Sequence, residues 1–227
     1  MKKLIFSLFL IGLTISSCKE SKIQQGEIEY EISYPYSELS GIMDVMLPKK
    51  MTVKFKGDRM IASIEKGKIF RTDIISTTIK KHLMMRLDFG SEKLEADLNN
   101  DDLKSLATNQ TQFENLGVIR KDTVAGLQAT FYKVKSANDK VGEFETAFSN
   151  NLTIENTEWF TSYKDTKGIP LIYIIERYGV IMHVRAYKFK PREISDSEFE
   201  TEKNFKSVSY KSYENKVNEL FQLIIED

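Results

Sequence analysis

The sequence predicts an α+β protein, a large antiparallel sheet with a few amphipathic helices laid on it. Three observations carry this reading. Apolar and polar residues alternate with period two through most of the chain from Gly26 onward, the pattern of strands with one buried and one wet face. Glycine-marked turns separate the runs by a few residues only, too few for the crossovers that parallel pairing requires. Three segments instead place their apolar residues at helical spacing.

In the first strand Ile28, Tyr30, Ile32 and Tyr34 oppose Glu27, Glu29, Glu31 and Ser33. Leu39, Ile42, Met43, Met46 and Leu47 then fall at i, i+3, i+4, i+7 and i+8, a helix that Ser37 would cap and Pro48 would end. Met51, Val53 and Phe55 alternate again, Gly57-Asp58 turns the chain, and Met60, Ala62 and Ile64 continue. Lys66-Gly67 precedes a strand from Ile69 to Ile75. Leu83, Met85, Leu87 and Phe89 share a face of the next, and Leu94, Ala96 and Leu98 follow Gly90-Ser91. Asn100-Asp101-Asp102 opens a short helix bearing Leu103 and Leu106, its acids at the positive end. Strands are expected over Val118–Lys121, Ala129–Lys135, Phe144–Phe148, Glu158–Tyr163, Leu171–Arg177 and Val180–Phe189. Ser212 would cap a last helix with the stripe Tyr213, Val217, Leu220, Phe221 and Ile224. No repeat or Pro/Gly/Ser-rich linker divides the chain, so residues 26–227 read as one domain.

Composition excludes several function classes. The 227 residues carry 33 Lys+Arg against 33 Asp+Glu, and zero net charge opposes nucleic-acid binding, which needs a basic face. A single cysteine excludes an internal disulfide framework and a cysteine-rich metal site. At 41% hydrophobic and 29% charged the chain is too apolar for disorder.

The lone cysteine has an informative address. Met1-Lys2-Lys3 is a short basic start, and Leu4 to Leu13 an apolar run of ten residues, half the ~20 needed to span a bilayer. Thr14-Ile15-Ser16-Ser17 then leads to Cys18, the form of a secretory signal peptide at its cleavage point. Ile15-Ser16-Ser17-Cys18 resembles the bacterial lipobox, which implies diacylglycerol transfer to the Cys18 thiol, cleavage before it, and acylation of the new amine. The expected organisation is a leader at 1–17, a lipidated tether at 18–25 and the domain at 26–227. Two or more acyl chains anchor firmly where one is marginal. Removing Lys2 and Lys3 from the 33 cations leaves 31 against 33 anions, which gives the domain no net attraction to anionic lipid. Lys19-Glu20 resembles the short charged export signals of Bacteroidota surface lipoproteins, so the expected location is the cell envelope, at the outer membrane, on its periplasmic face or the cell surface.

Nothing in the sequence argues for catalysis. His82 and His183 lie far apart on strands and read as packed or half-exposed side chains. No metal-binding, P-loop, nucleophile-elbow or EF-hand spacing occurs, so no enzyme activity, metal or cofactor is expected. Methionine is the more informative residue. Six methionines, Met43, Met46, Met51, Met60, Met84 and Met85, lie between residues 43 and 85, and this flexible, polarizable side chain suits surfaces that receive apolar ligands of varied shape. Plain core filling is the competing explanation. Met43, Met46, Met60, Met84, Met85, Trp159 and Phe160 are the candidates for the wall of a groove.

Several short motifs together resemble a family of exported Bacteroidota lipoproteins whose fold is similar to the lipoprotein carriers LolA and LolB. They are Val124-Ala125-Gly126-Leu127 after Lys121-Asp122, Trp159-Phe160-Thr161, Gly168-Ile169-Pro170-Leu171, Gly179 to Met182, and Ile194-Ser195-Asp196-Ser197-Glu198-Phe199. The resemblance implies an unclosed half-barrel covered by helices, with an apolar cavity that takes acyl chains. The family often has a Cys three residues after the Gly of its Ala-Gly pair; here Ala129 stands there, so no role for that thiol carries over. The expected function is non-catalytic binding of an apolar or amphiphilic ligand, a lipid or lipoprotein acyl chain, by an envelope lipoprotein. The alternative is an interaction or scaffold module with a filled core and a protein or glycan partner.

Overall fold

A computed structural model describes residues 22–36, 41–154, 157–163, 166–200 and 204–225, with the side chains of 42–44, 158–159 and 223–225 outside that description. Among these described residues twelve strands form one sheet: β1 (Gln25–Ser33), β2 (Lys50–Lys56), β3 (Arg59–Lys66), β4 (Phe70–Thr77), β5 (His82–Phe89), β6 (Glu92–Asp97), β7 (Phe113–Val124), β8 (Leu127–Ser136), β9 (Glu143–Ser149), β10 (Ile169–Arg177), β11 (Val180–Lys190) and β12 (Lys206–Ser207). Among the described residues three α-helices accompany them, α1 (Gly41–Met46), α2 (Asn100–Thr108) and α3 (Tyr210–Ile225). The spatial order is β12-β6-β5-β4-β3-β2-β1-β11-β10-β9-β8-β7, so the sheet is unclosed and ends in β12 and β7. Every pairing between named strands is antiparallel except β12 with β6. The chain runs as two meanders joined at the centre, because β1 sits between β2 and β11. Ile28 faces Val53 on one side and Phe189 on the other, in the heart of the molecule.

The sheet curls around α3. The Phe221 ring lies 6.4 Å from that of Phe70 at the start of β4, and 5.1 Å from that of Tyr178 in the β10–β11 turn. A flat sheet would hold those two strands roughly 24 Å apart at about 4.8 Å per step. One side chain touching both requires strong curvature, and this gives the open half-barrel. Tyr178 and Gly179 take φ +53° and +76°, the two left-handed positions of a type I′ hairpin turn. That turn presents the Tyr178 ring to the helix. Tyr213, Val217 and Leu220 complete the buried stripe of α3; the side chain of Ile224, expected in the same stripe, lies outside the description.

Ser209, not Ser212, caps α3. The Ser212 N–H donates to Ser209 Oγ at 3.2 Å and the Tyr213 N–H to the Ser209 carbonyl at 3.0 Å. α2 begins with a capping box between Asn99 and Asp102. The strand expected at Glu158–Tyr163 is instead a single 3-10 turn, Thr157–Phe160. Tertiary bonds override the local alternation: Thr157 Oγ1 donates to the Gly168 carbonyl at 2.7 Å, and the Tyr163 hydroxyl both accepts from Ile174 N–H at 2.7 Å and donates to its carbonyl at 2.9 Å. That phenol stands in for a neighbouring strand where β10 leaves β9. Gly168, at φ +101°, passes so close to β9 that a Cβ would lie 2.1 Å from the Ser149 carbonyl oxygen. At the other end of the chain, Ile23, expected in the tether, already pairs with Leu152.

After β11 the chain crosses the outer face of the sheet as a strap. Arg192 bridges Glu27 and Glu198 at 2.7 and 2.8 Å, Lys54 meets Glu198 at 2.9 Å, and Lys56 and Arg59 meet Asp196. Ser195 and Glu198 form a capping box on the turn Asp196–Phe199. Arg59 lies over the Phe199 ring and Arg86 over the Phe205 ring. The strap explains why Ile61, Asp73, Ile75 and Arg86 are buried on the convex side. It then joins the β6 edge as β12 and leads into α3 on the concave side.

Candidate functional site

The concave face builds an apolar cavity of about 150 Å³. Its floor follows from strand register. Ile28, Val53, Ala62, Ile74, Met85 and Ala96 lie opposite one another across six strands, and Tyr30, Met51, Ile64 and Thr72 form the adjacent row. Of these, Tyr30, Met51, Val53, Ala62, Ile64, Thr72, Ile74 and Met85 reach the cavity, joined by Met60. Leu106 of α2 and Phe160 of the 3-10 turn lie across from them, with Tyr173 and Ile175 of β10 along the side.

The candidates therefore separate. Met60, Met85 and Phe160 line the cavity. Met84 does not: consecutive strand residues face opposite ways, and its sulfur lies 3.6 Å from Arg86 Nη2 on the convex side. Met46 is 47% exposed at the end of α1. The side chains of Met43 and Trp159 lie outside the description, as does Cys18. Met51, Tyr30, Tyr173 and Ile175 complete the wall; their signal in the sequence is membership of the buried face of their strands.

Polar groups in the wall are committed to the protein. Tyr30 Oη donates to the Pro170 carbonyl at 2.9 Å. Gln110 Nε2 donates to the Phe160 carbonyl at 3.2 Å, and Ser162 Oγ to Gln110 Oε1 at 3.2 Å. Glu176 accepts from Thr111 at 2.8 Å and from Asn138 at 2.6 Å. Arg177 donates to Glu214 at 2.6 Å, which also accepts from Tyr178 at 2.8 Å. Burial pushes the phenols of Tyr30, Tyr163 and Tyr173 above their ordinary value, so they stay neutral and serve as hydrogen-bond groups. His183 is pushed down by burial and by Arg185. His82 lies outside the wall, with Nε2 2.8 Å from Asp97. Among the described residues no group of three His, Cys, Asp or Glu is placed to hold a metal ion, and no helix is long and apolar enough to cross a membrane. Chemically the site offers apolar surface and little else.

No protein-family model matches the chain, and no curated protein matches it. Solved structures that are similar in part include the following two. The crystal structure of MucB is similar over 81% of this chain at 8% identity, with a TM-score of 0.40. A LolA-superfamily protein from Nitrosomonas europaea is similar over 79% of this chain and 91% of its own, at 11% identity and a TM-score of 0.20. The chain spans 59% of the length of MucB.

Proposed function

We propose that this chain is a non-catalytic envelope lipoprotein, anchored through lipidated Cys18 at the outer membrane, that receives the apolar part of a lipid or lipoprotein acyl chain on its concave face. The observation that carries the reading is the cavity between sheet and helices, lined by Met51, Met60, Met85 and Phe160. Kinship with exported Bacteroidota lipoproteins is part of the same proposal and rests on the short motifs of the sequence.

Size constrains the ligand. An apolar cavity of about 150 Å³ can stay dry and admit a benzene-sized guest, whereas pockets for whole drug-sized molecules run from about 300 Å³ upward. A guest of about five methylene-sized groups, close to the benzene-sized limit, is worth ~4 kcal/mol at ~0.8 kcal/mol each. That corresponds to millimolar affinity. It takes one chain end as it stands, and a longer chain enters only if the wall of α2 and residues 157–163 moves away from the sheet.

The test is titration of a benzene-sized apolar probe, followed by changes in the protein's NMR spectrum, into wild-type protein and into Met85→Trp. The expected result is binding by wild type and its loss in the variant, with the melting temperature nearly kept because the added ring fills a void. If Met85→Trp is instead destabilised by about 1–3 kcal/mol, as in an overpacked core, and wild type binds no probe, the cavity reading is wrong.

A further inference from the structure

We propose, on the reading of the cavity as an acyl site, that Arg177 sets its specificity: it recognises the ester or amide carbonyl that joins an acyl chain to a larger molecule, in preference to a free carboxylate. Arg177 closes β10 on the same face as Tyr173 and Ile175, and all three line the cavity. Only 19% of its side chain is exposed. Its Nη2 donates to Glu214 at 2.6 Å and to the Tyr210 hydroxyl at 3.2 Å, two acceptors about one turn apart on α3. The guanidinium carbon lies 5.1 Å from the centre of the Tyr178 ring, whose hydroxyl also donates to Glu214. Helix and hairpin turn together hold the group in one orientation.

The guanidinium is only partly spent. Of its five N–H donors, the two on Nη2 go to Glu214 and Tyr210. The N–H of Nε and the two of Nη1 have no partner among the described residues. Neither nitrogen is sealed in, since Ser76 Oγ is the one fully buried side-chain atom without a partner there. Arg177 therefore brings free donors to the edge of a site that is otherwise apolar.

Three features select a carbonyl as their acceptor. First, a carboxylate is gripped best by two parallel N–H groups. A guanidinium offers such a fork side-on through Nε and Nη2, or end-on through Nη1 and Nη2, and both need the nitrogen already engaged. The donors that remain suit single acceptors. Second, Glu214 neutralises Arg177, while Glu176 also lines the cavity and is held only by the neutral donors Thr111 and Asn138. One cation against two carboxylates leaves a net charge of −1 around the site, which repels a further anion. Third, a neutral carbonyl accepts a strong bond from a charged donor and loses far less on leaving water than an ionised group does.

Three ligands with the same alkyl tail test this: methyl hexanoate, the ester; hexyl methyl ether, of the same length without the carbonyl; and hexanoate, the free carboxylate. Each is titrated by NMR into the full chain carrying Cys18→Ser, so that no detergent competes for the cavity. The ester is expected to bind about tenfold more tightly than the ether, and hexanoate no more tightly than the ether. Arg177→Met should reduce the ester to the ether's affinity and leave the ether unchanged. Glu214→Gln keeps Arg177 and removes its neutralising charge, so hexanoate should gain about tenfold while the ester stays the same. Ester and ether binding alike, hexanoate binding more tightly than the ester, or an ester preference that survives Arg177→Met would each overturn the role of Arg177. Should Arg177→Met fail to fold, Glu214→Gln decides, and no gain for hexanoate counts against the proposal. An ether that does not bind at all would remove the cavity reading and this role with it; an ether that binds without any advantage for the ester removes the role alone.

Discussion

Replacing Phe221 by Ala tests whether α3 holds the half-barrel in its curled shape. The ring is 8% exposed, stacked on Tyr178 and edge-on to Phe70, so truncation removes contacts to both halves of the sheet at once. Core Phe→Ala changes cost about 3–5 kcal/mol, and two aromatic contacts at about 0.5–1.5 kcal/mol each account for part of that. The void cannot close cheaply, because its two walls belong to strands held by ladders on either side. At about 2–4 °C per kcal/mol for a domain of this size, the melting temperature should fall by about 6–20 °C. Circular dichroism melts and urea curves measure it, with a lower midpoint at constant slope as the expected signature. A melting temperature within about 2 °C of wild type would show that the helix does not support the curvature, and the geometric argument would fail.

Cys18→Ser should leave the melting temperature alone and release the protein from salt-washed membranes; a variant that still pellets, or a wild type whose intact mass carries no lipid, refutes the anchor. Ser76 Oγ is the one buried side-chain oxygen without a partner among the described residues, so Ser76→Ala should be neutral or stabilise by about 1 kcal/mol, and a clear loss of stability would mean the hydroxyl has a partner in solution. Acid should loosen the strap. Hydrogen bonds from Arg192 and Lys54 hold Glu198 well below the usual carboxylate range, and at Glu27 burial pushes upward but is outweighed by Arg192 and Lys190. Both folded-state values lie below the ordinary 4.5, so their stabilisation is complete above that pH and is lost as pH falls through the folded values. The urea midpoint should therefore drop on going from about pH 5 to about pH 3, and Arg192→Met should flatten that dependence; equal slopes in both proteins would show that the strap's ion pairs are not its clasp.

Much of the fold is legible in the sequence because most strands bury one face only. The alternations at Ile28–Tyr34, Met51–Phe55 and Leu83–Phe89 assign those residues to the concave side without further information, and the stripe of α3 finds the same surface. The strap is harder to read. Its residues 191–205 have no period, and its attachment depends on ion pairs such as Arg192 with Glu27, separated by 165 residues in sequence. A signal does exist: Ile61 and Ile75 place apolar side chains on faces that would otherwise be wet, which asks for a cover. The 157–163 segment defeats periodicity because its conformation is fixed by distant partners, Gly168 and Ile174, and not by its own side chains.

The candidate site separates along the same physical line. Met60 and Met85 fall on the concave face by parity, and Met84 cannot share it with its neighbour. Parity reports direction, not distance to an opposing layer, so it could not tell a filled core from a void. The void exists where Thr72 and Ala62, smaller than their neighbours Ile64 and Ile74, meet a layer contributed by Leu106 and Phe160, the latter from outside any strand. Small residues on one layer leave space only if the facing layer is held off. Here the holding is done by hydrogen bonds at its margin, Gln110 to Phe160, Ser162 to Gln110 and Tyr163 to Ile174. Those bonds lie in polar residues that pattern-reading assigns to loops, which is why the cavity's volume is not legible in the sequence.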